Sequence, residues 1–339
     1  MKKIVIIALN TGIGNVLMTT PLIKKTKKKY PSSIITVLVS NNSCKQVLEK
    51  NPFIDKIIII PKKENFLERF IPLSGMPDLF LLRKKRFDIS ITIMPHAYYS
   101  SFASIIINAK KRISHKLCLL DIFQNRLIKL KKVHDVQQNL YLIDNQIEKD
   151  IHLELYLDKK DSLKKIKNSI GIHPGCDSNS YLKRWPINKF NYLSKILLKK
   201  GYKIFFFLGP QERELKKYIT KEKNIKIFDN LPLNETIKKI NQCEYFISND
   251  SGISHIAEAL DIPLVVIFGP SDYRRSGPIK KNRVIIVKPS KYNPWIYTLE
   301  DIFNEKKINK SNFMDMERVS VKKVYKSLIK LKKRIKKQS

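Results

Sequence analysis

Asn249-Asp250-Ser251-Gly252 stands between an apolar run (Tyr245, Phe246, Ile247) and a helical pattern at Ile253, Ile256, Ala257 and Leu260. That order predicts a strand, a tight turn and a helix start. A second apolar run from Leu264 to Phe268, closed by Gly269-Pro270, completes a βαβ unit. Backbone N–H groups at such a start lack partners within the helix and lie at the positive end of its dipole, so they suit an anion such as a pyrophosphate. Simple capping of the helix by Asp250 or Ser251 is the alternative.

A similar arrangement opens the chain. Ile4 to Leu9 is a continuous apolar run, Asn10-Thr11-Gly12-Ile13-Gly14-Asn15 breaks it, and Val16 to Tyr30 has helical spacing. Gly12 and Gly14 permit a tight turn and close approach of backbone to a ligand. A dinucleotide fingerprint would place a third glycine where Leu17 stands and an acid at the end of the second strand, Ile34 to Val39, which instead runs into Ser40-Asn41-Asn42. Both departures argue against a nicotinamide cofactor.

The elements that must position these turns alternate along the chain. Ile57 to Ile60 reads as a strand, Asn65 to Lys85 as a Lys-rich helix interrupted at Pro72, Gly75 and Pro77, and Phe87 to Met94 as a strand. The loop Pro95-His96-Ala97-Tyr98-Tyr99 follows at a strand's carboxyl end, where ligands of open α/β sheets bind. His96 offers a sugar contact there, or an ordinary structural loop histidine. Arg112 to Asp150 is basic with helical stretches, Ile151 to Leu157 alternates like an edge strand, and Lys159 to Lys167 is a charged linker.

A second alternating series begins at Ser169-Ile170-Gly171-Ile172, continuing through His173-Pro174-Gly175-Cys176-Asp177-Ser178-Asn179-Ser180 and Lys183-Arg184-Trp185-Pro186. Ile187 to Lys200 reads as a helix stopped by Gly201, Tyr202 to Leu208 as a strand ending at Gly209-Pro210-Gln211-Glu212, Glu214 to Lys223 as a helix, Ile225 to Phe228 as a strand and Leu233 to Gln242 as a helix. Two Rossmann-like halves are therefore expected. The tail from Val319 to Lys337 is a basic amphipathic helix that either closes the fold by packing or lies on an anionic membrane.

With 339 residues and 43% hydrophobic content the chain is ordered and long enough for two domains. The net charge of +36 favours anionic partners, but only 12 of 66 basic residues are arginine, which weakens a nucleic-acid reading. That Lys- and Ile-rich balance also resembles the coding bias of an AT-rich genome. Cys44, Cys118, Cys176 and Cys243 are scattered without metal-ligand spacing, as expected for a reducing cytoplasm without zinc. The uncharged stretch Ile89 to Ala109 carries Pro95, His96 and several serines, so it reads as strand, loop and helix rather than a membrane span.

GIGNVLMTTP from residue 12, HPG followed by KRWP, LGPQE, NDSGISHIAEAL and FGPSD resemble, in this order, the motifs of the glycosyltransferase family that contains the lipopolysaccharide heptosyltransferases. The resemblance implies a GT-B fold: an acceptor-side Rossmann-like domain over 1–160, a donor-binding one over 168–317 facing it across a cleft, and a closing helix over 318–339. It also implies metal-independent, inverting transfer from a nucleotide-diphosphate sugar, with no cofactor. By position, Lys183 matches a lysine that neutralises donor phosphates, and Ser251 and Gly252 the helix-start pair that holds them. Asp250 matches an acid near the donor sugar, His255 a residue of the same turn, Glu212 the acid that binds the ribose hydroxyls, and Leu231 the adenine loop.

The family usually shows G-x-G-D in the first turn, and that aspartate resembles the general base that deprotonates the acceptor. Here the position is Asn15, whose amide holds a hydroxyl but cannot take its proton. Either another group such as His96 or an acid is the base, or the chain belongs to a subgroup working without this carboxylate, or it binds donor without transfer. The partners expected are ADP-heptose or another nucleotide-diphosphate sugar, an acidic lipid-linked glycan acceptor and an anionic inner-membrane surface, with no nucleic acid. The location expected is cytoplasmic, with peripheral attachment to the inner membrane face as an option.

Overall fold

The apolar run near the amino terminus forms β1 (Lys3–Ala8), and every residue of it after Lys3 is buried, as a strand covered on both faces requires. Five parallel strands join it: β2 (Ile34–Val39), β3 (Lys56–Ile59), β4 (Ile89–Thr92), β5 (Lys111–His115) and β6 (Arg126–Ile128). Their order is β3-β2-β1-β4-β5-β6. A second parallel sheet contains β7 (Ser169–His173), β8 (Lys203–Leu208), β9 (Ile225–Asp229), β10 (Tyr245–Asn249), β11 (Leu264–Ile267) and β12 (Val284–Val287), ordered β12-β11-β10-β7-β8-β9. Both sheets are doubly wound, each reversing direction beside its first strand, and the chain divides into two compact units, Met1–Tyr156 and Leu157–Ser339. The computed structural model describes residues 1–9, 11–62, 71–94, 98–144, 146–158, 164–176, 182–292 and 316–338.

The first unit carries α1 (Ile13–Leu17), α2 (Thr20–Lys29), α3 (Asn42–Gln46), α4 (Met76–Arg83), α5 (Tyr98–Ile107) and α6 (Asp135–Tyr141). The single helix expected over Val16 to Tyr30 is two, because Pro21, which has no N–H to donate, sits in the first turn of α2 and favours a fresh start there. Of the interrupted helix expected over Asn65 to Lys85, the described part is α4, which starts after Gly75. The stretch expected to hold helices from Arg112 to Asp150 also supplies β5 and β6; β6 is a short sheet edge with Arg126 and Leu127 exposed, so it lacks the apolar pattern of a buried strand.

Ile151 to Leu157, expected as an edge strand, is not one. Leu153 is buried and the Glu154 amide donates to Thr20 Oγ1 at 3.0 Å, so the alternation serves packing against α2 rather than a ladder. Hydrogen bonding to a helix side chain takes the place of a neighbouring strand. The linker expected at Lys159 to Lys167 falls partly outside the described residues.

In the second unit, α7 (Ile187–Leu198), α8 (Leu233–Asn241), α9 (Gly252–Ala259), α10 (Tyr273–Ser276) and α11 (Val321–Lys336) flank the sheet. Gly201 stops the segment after α7 with φ of +79°, a left-handed backbone that glycine adopts without strain. The helix expected over Glu214 to Lys223 is instead a 3₁₀ helix, Pro210–Tyr218, whose first turn places Glu212.

Val324, Leu328 and Leu331 of α11 are buried in the core of this unit, and Val321, Tyr325 and Ile335 pack against the same cluster. The apolar stripe of the tail is thus spent on protein. Among the described residues no helix is long and apolar enough to cross a membrane.

Candidate functional site

Strand order places the carboxyl ends of β7 and β10 side by side at the reversal point of the second sheet, with Ile247 paired to Ile172 and Ser248 to His173. Two loops separated by some 75 residues of sequence must therefore meet there. Asn249, wholly buried at the end of β10, joins them: its Oδ1 accepts from the Trp185 amide at 3.1 Å and its Nδ2 donates to the Pro174 carbonyl at 2.7 Å. Trp185 is itself fixed, its indole Nε1 donating to the Val319 carbonyl at 2.9 Å and its ring meeting Phe190 edge-on at 4.7 Å.

This anchoring brings Lys183, two residues earlier, to Asp250. Its Nζ lies 2.8 Å from Asp250 Oδ2, with about a fifth of the Lys183 side chain exposed. Ser271, from the FGPSD segment after β11, donates its hydroxyl to the same oxygen. Burial acts to raise the Asp250 carboxyl, but Lys183, Ser271 and the nearby His255 outweigh it and hold the group below the usual carboxylate range. Asp250 is therefore ionised; its Oδ2 faces Lys183 and Ser271, and the N-cap position of the following helix belongs to Ser251.

Ser251 occupies the N-cap position of α9 with extended backbone and no side-chain capping hydrogen bond. Its hydroxyl faces Ser248 Oγ at 3.3 Å. Ser251, Gly252 and Ile253 are half-buried, so the first amides of α9 adjoin solvent next to the Lys183 ammonium. A helix start of this kind attracts an anion both through unpaired N–H groups and through its dipole. His255, one turn on, is buried, with Nδ1 3.5 Å from Glu258 Oε2 and no hydrogen bond between them. The other Glu258 oxygen accepts from the Lys280 amide at 2.9 Å and from the Ile279 amide, tying α9 to the segment after α10.

Glu212 lies at the end of β8, the next strand beyond β7. Its Oε2 accepts from the Gly209 amide at 2.6 Å, and Oε1 has no hydrogen bond among the described residues. Two glycines make room for this carboxylate: a Cβ on Gly175 would stand 2.3 Å from Glu212 Cγ, and one on Gly209 would stand 2.5 Å from Oε2. A Gly175→Ala variant is expected to lose about 1–3 kcal/mol of stability through this overpacking. Chemical unfolding checks it, and an unshifted midpoint would show that Glu212 moves aside freely.

His173 ends β7 behind Glu212. Its Nδ1 donates to the Phe207 carbonyl at 2.9 Å, and burial holds the ring below the ordinary imidazole range against the opposing pull of Glu212, so it is neutral. Leu231 follows β9, one strand further, and is partly exposed beside Asn230, whose φ is +57°. The residues expected to bind donor thus follow the carboxyl ends of β10, β7, β8 and β9 in order along one sheet edge.

In the first unit, Gly12 precedes α1 with φ −88° and ψ 174°, a conformation open to any residue, and a Cβ there would meet nothing within 4 Å. The tight-turn reason for this glycine therefore falls away, leaving close approach of a ligand. Gly14 and Asn15 lie within α1; the Asn15 carbonyl accepts from Thr19 Oγ1 at 2.9 Å, and its side-chain amide has no partner among the described residues. β1 and β4 pair at the reversal point of this sheet, so the Gly12–Asn15 turn and the loop after β4 both leave from it. His96 lies outside the described residues.

Sequence reasoning missed Asn249, Ser271, Arg184 and Glu258. Asn249 ends, and Ser271 follows, a strand that parallel pairing sets against its neighbour, which is the signal that would have found them. Arg184 donates to the Cys176 carbonyl at 3.3 Å. No group of three histidines, cysteines or carboxylates placed for a metal occurs among the described residues.

A family model described as glycosyltransferase family 9 (heptosyltransferase) matches residues 81–296, which is more than half of the chain. The span takes in Lys183, Glu212, Leu231, Asp250, Ser251, Gly252 and His255 and leaves out the turn at Gly12 to Asn15. Lipooligosaccharide heptosyltransferase 2 of Campylobacter jejuni is 29% identical over 300 residues, with 84% of this chain and 87% of that protein covered. Among solved structures, a family 9 glycosyltransferase from Veillonella parvula superposes with a TM-score of 0.81 at 24% identity, covering 97% of both chains. The Escherichia coli ADP-heptose lipopolysaccharide heptosyltransferase II superposes at 0.77 with 19% identity over the whole of both chains. The expected fold class, α/β of the GT-B type with two doubly wound parallel sheets and a carboxyl-terminal helix, is the one these neighbours share.

Proposed function

The chain belongs to glycosyltransferase family 9, the heptosyltransferase family, and from that premise we propose that it transfers heptose from ADP-heptose to the inner core of lipopolysaccharide or a related lipid-linked envelope glycan. The observation that carries the donor side is the uncapped start of α9 beside Lys183 at the sheet's reversal point. A pyrophosphate seated there leaves Glu212 and Leu231 one and two strands beyond β7, at spacings of about 4.8 Å per strand, for ribose and base. Glu212 Oε1 accepts from the ribose hydroxyls while Oε2 stays on the Gly209 amide.

Transfer is a single displacement. The acceptor hydroxyl oxygen bonds to the anomeric carbon, the bond from that carbon to the β-phosphate oxygen breaks, and ADP leaves with the electron pair. The hydroxyl proton passes to a base other than Asn15. Lys183 and the α9 amides stabilise the negative charge growing on the leaving phosphate without a metal. Asp250 holds the lysine in place before donor arrives, and its fixed negative charge near the anomeric carbon favours the positive charge that builds there.

On the acceptor side, Asn15 offers a half-buried amide that holds the acceptor hydroxyl by hydrogen bonds. An Asn15→Ala variant is expected to lose turnover while keeping donor affinity, as read by steady-state rates and calorimetry side by side. Unchanged turnover would remove Asn15 from the mechanism. For the donor, calorimetry with a panel of nucleotide sugars is expected to rank ADP-heptose first; preference for a uridine or guanosine diphosphate sugar would move the enzyme to another surface polymer. The acceptor's lipid places the reaction at the inner face of the cytoplasmic membrane.

A further inference from the structure

The tail helix α11 has no apolar face left for lipid, since Val324, Leu328 and Leu331 are in the core of the second unit. An unspent apolar surface exists elsewhere. Among the described residues, six of the fourteen exposed large hydrophobics fall between positions 117 and 130: Leu117, Leu119, Ile122, Phe123, Leu127 and Leu130. Leu119, Ile122 and Phe123 are 76%, 62% and 55% exposed. They lie on the 3₁₀ turn Leu119–Phe123, in which positions three apart overlie one another, so Leu119 and Ile122 project together. Leu127 belongs to β6, the outer strand of its sheet, and it lines a shallow depression with Lys116, Ile128, Lys129 and Leu130. A soluble chain seldom groups so many apolar side chains in the open without a partner for them.

The charge around the patch is of one sign. Lys116, Arg126, Lys129, Lys131 and Lys132 are exposed, and the single acidic residue from Lys110 to Val133, Asp121, is buried. Both Asp121 oxygens are turned inward: Oδ1 accepts from Ser101 Oγ at 2.7 Å, and Oδ2 from the Leu117 and Cys118 amides at 2.7 and 2.8 Å. These bonds fold the 3₁₀ turn so that its leucine and phenylalanine side chains face outward. Coding bias explains scattered lysines, but it does not explain six exposed hydrophobics at one sheet edge with the only acid withdrawn.

We propose that this edge, residues 116–132, is the surface by which the protein docks on an anionic lipid bilayer: Leu119, Ile122 and Phe123 enter the headgroup region, and Lys116, Arg126, Lys129 and Lys132 bind acidic headgroups. Apolar insertion and electrostatic attraction add at such an interface, whereas either alone holds weakly. The inference deepens the functional reading by naming the surface that meets the membrane carrying the acceptor. Its test uses no sugar donor, so the two stand or fall separately.

Flotation with phosphatidylcholine vesicles, with and without phosphatidylglycerol, tests it on the full chain. The native protein is expected to float with the anionic vesicles and not the neutral ones, with binding weakened by added salt. A Leu119→Ser/Ile122→Ser/Phe123→Ser variant and a Lys116→Glu/Lys129→Glu/Lys132→Glu variant are each expected to lose at least tenfold in bound fraction while keeping native circular dichroism. A Lys322→Glu/Lys326→Glu/Lys330→Glu variant of α11 is expected to float like the native protein. Native-like flotation of both patch variants overturns the proposal, as does loss of binding in the α11 variant alone. Sedimentation of the native protein as a dimer that the serine variant converts to monomer also overturns it, because the patch is then a contact between two copies of the chain.

Discussion

Lys183→Ala is expected to lower turnover by about 10²–10³-fold, the usual effect of removing one preorganised donor from a site of developing negative charge. Lys183 neutralises Asp250 at 2.8 Å. In the proposed mechanism the departing phosphate competes for the same ammonium as the sugar bond breaks. Truncating the lysine therefore also leaves a buried carboxylate unpaired, which commonly costs about 3–5 kcal/mol. A loss of activity through unfolding has to be separated from a loss through chemistry. The double variant Lys183→Met/Asp250→Asn does so, because it removes the charge along with its partner and restores packing. Its unfolding midpoint is expected to recover toward native while its turnover stays low. Recovered stability with near-native turnover would exclude Lys183 from the reaction.

Asn249→Ala is expected to be the most damaging change at a residue that touches no substrate. It leaves the Trp185 amide and the Pro174 carbonyl without partners inside the unit, each costing about 1–3 kcal/mol when buried and unsatisfied. A total of about 3 kcal/mol or more is a large part of the stability of an ordinary domain. The consequence for the site is geometric: the loop before α7 loses its tie to β10, and Lys183 loses its fixed distance from α9. Donor affinity is expected to fall along with the unfolding midpoint, as read by calorimetry and urea denaturation. An Asn249→Ala protein of native stability that binds donor normally would show that Trp185 alone positions Lys183. An Asn249→Asp variant separates the two donors: its carboxylate still accepts from Trp185 but cannot donate to Pro174.

Much of the fold was legible because a doubly wound sheet needs continuous apolar strands with polar turns at their ends, and β1, β2, β7, β8, β10 and β11 have both. β5 and β6 were not legible. Lys111, Arg112 and Arg126 interrupt their apolar content, and β6 lies at a sheet edge where one flank stays open to solvent. The break between α1 and α2 was concealed by helical spacing that runs through Pro21. The amphipathic pattern of α11 permitted packing or lipid binding, and the burial of Val324, Leu328 and Leu331 shows packing.

For the site, residue types disclosed the turn at Asn249 to Gly252 and the family resemblance the lysine at 183, but neither gave the contact of Lys183 with Asp250. They are separated by about a third of the second unit in sequence and meet because β7 and β10 are neighbours, which is a property of strand order. In sequence Asn249 is one of four polar or small residues of a tight turn. Its burial follows from lying where two parallel strands end together, so its amide serves backbone partners rather than water. Glu212 was legible as an acid at a strand end, whereas the need for Gly175 and Gly209 beside it appears only once the carboxylate is placed.

The most direct measurement is product formation from ADP-heptose by the purified protein on a lipopolysaccharide acceptor truncated before its heptose residues, with the lipid product analysed by mass. The expected result is a gain of one heptose that depends on donor, proceeds with the native protein and falls about 10²-fold or more with Lys183→Ala. A lipid of unchanged mass with ADP-heptose, together with a product from a different nucleotide sugar, would contradict the heptose assignment; no product from any donor would contradict transfer itself.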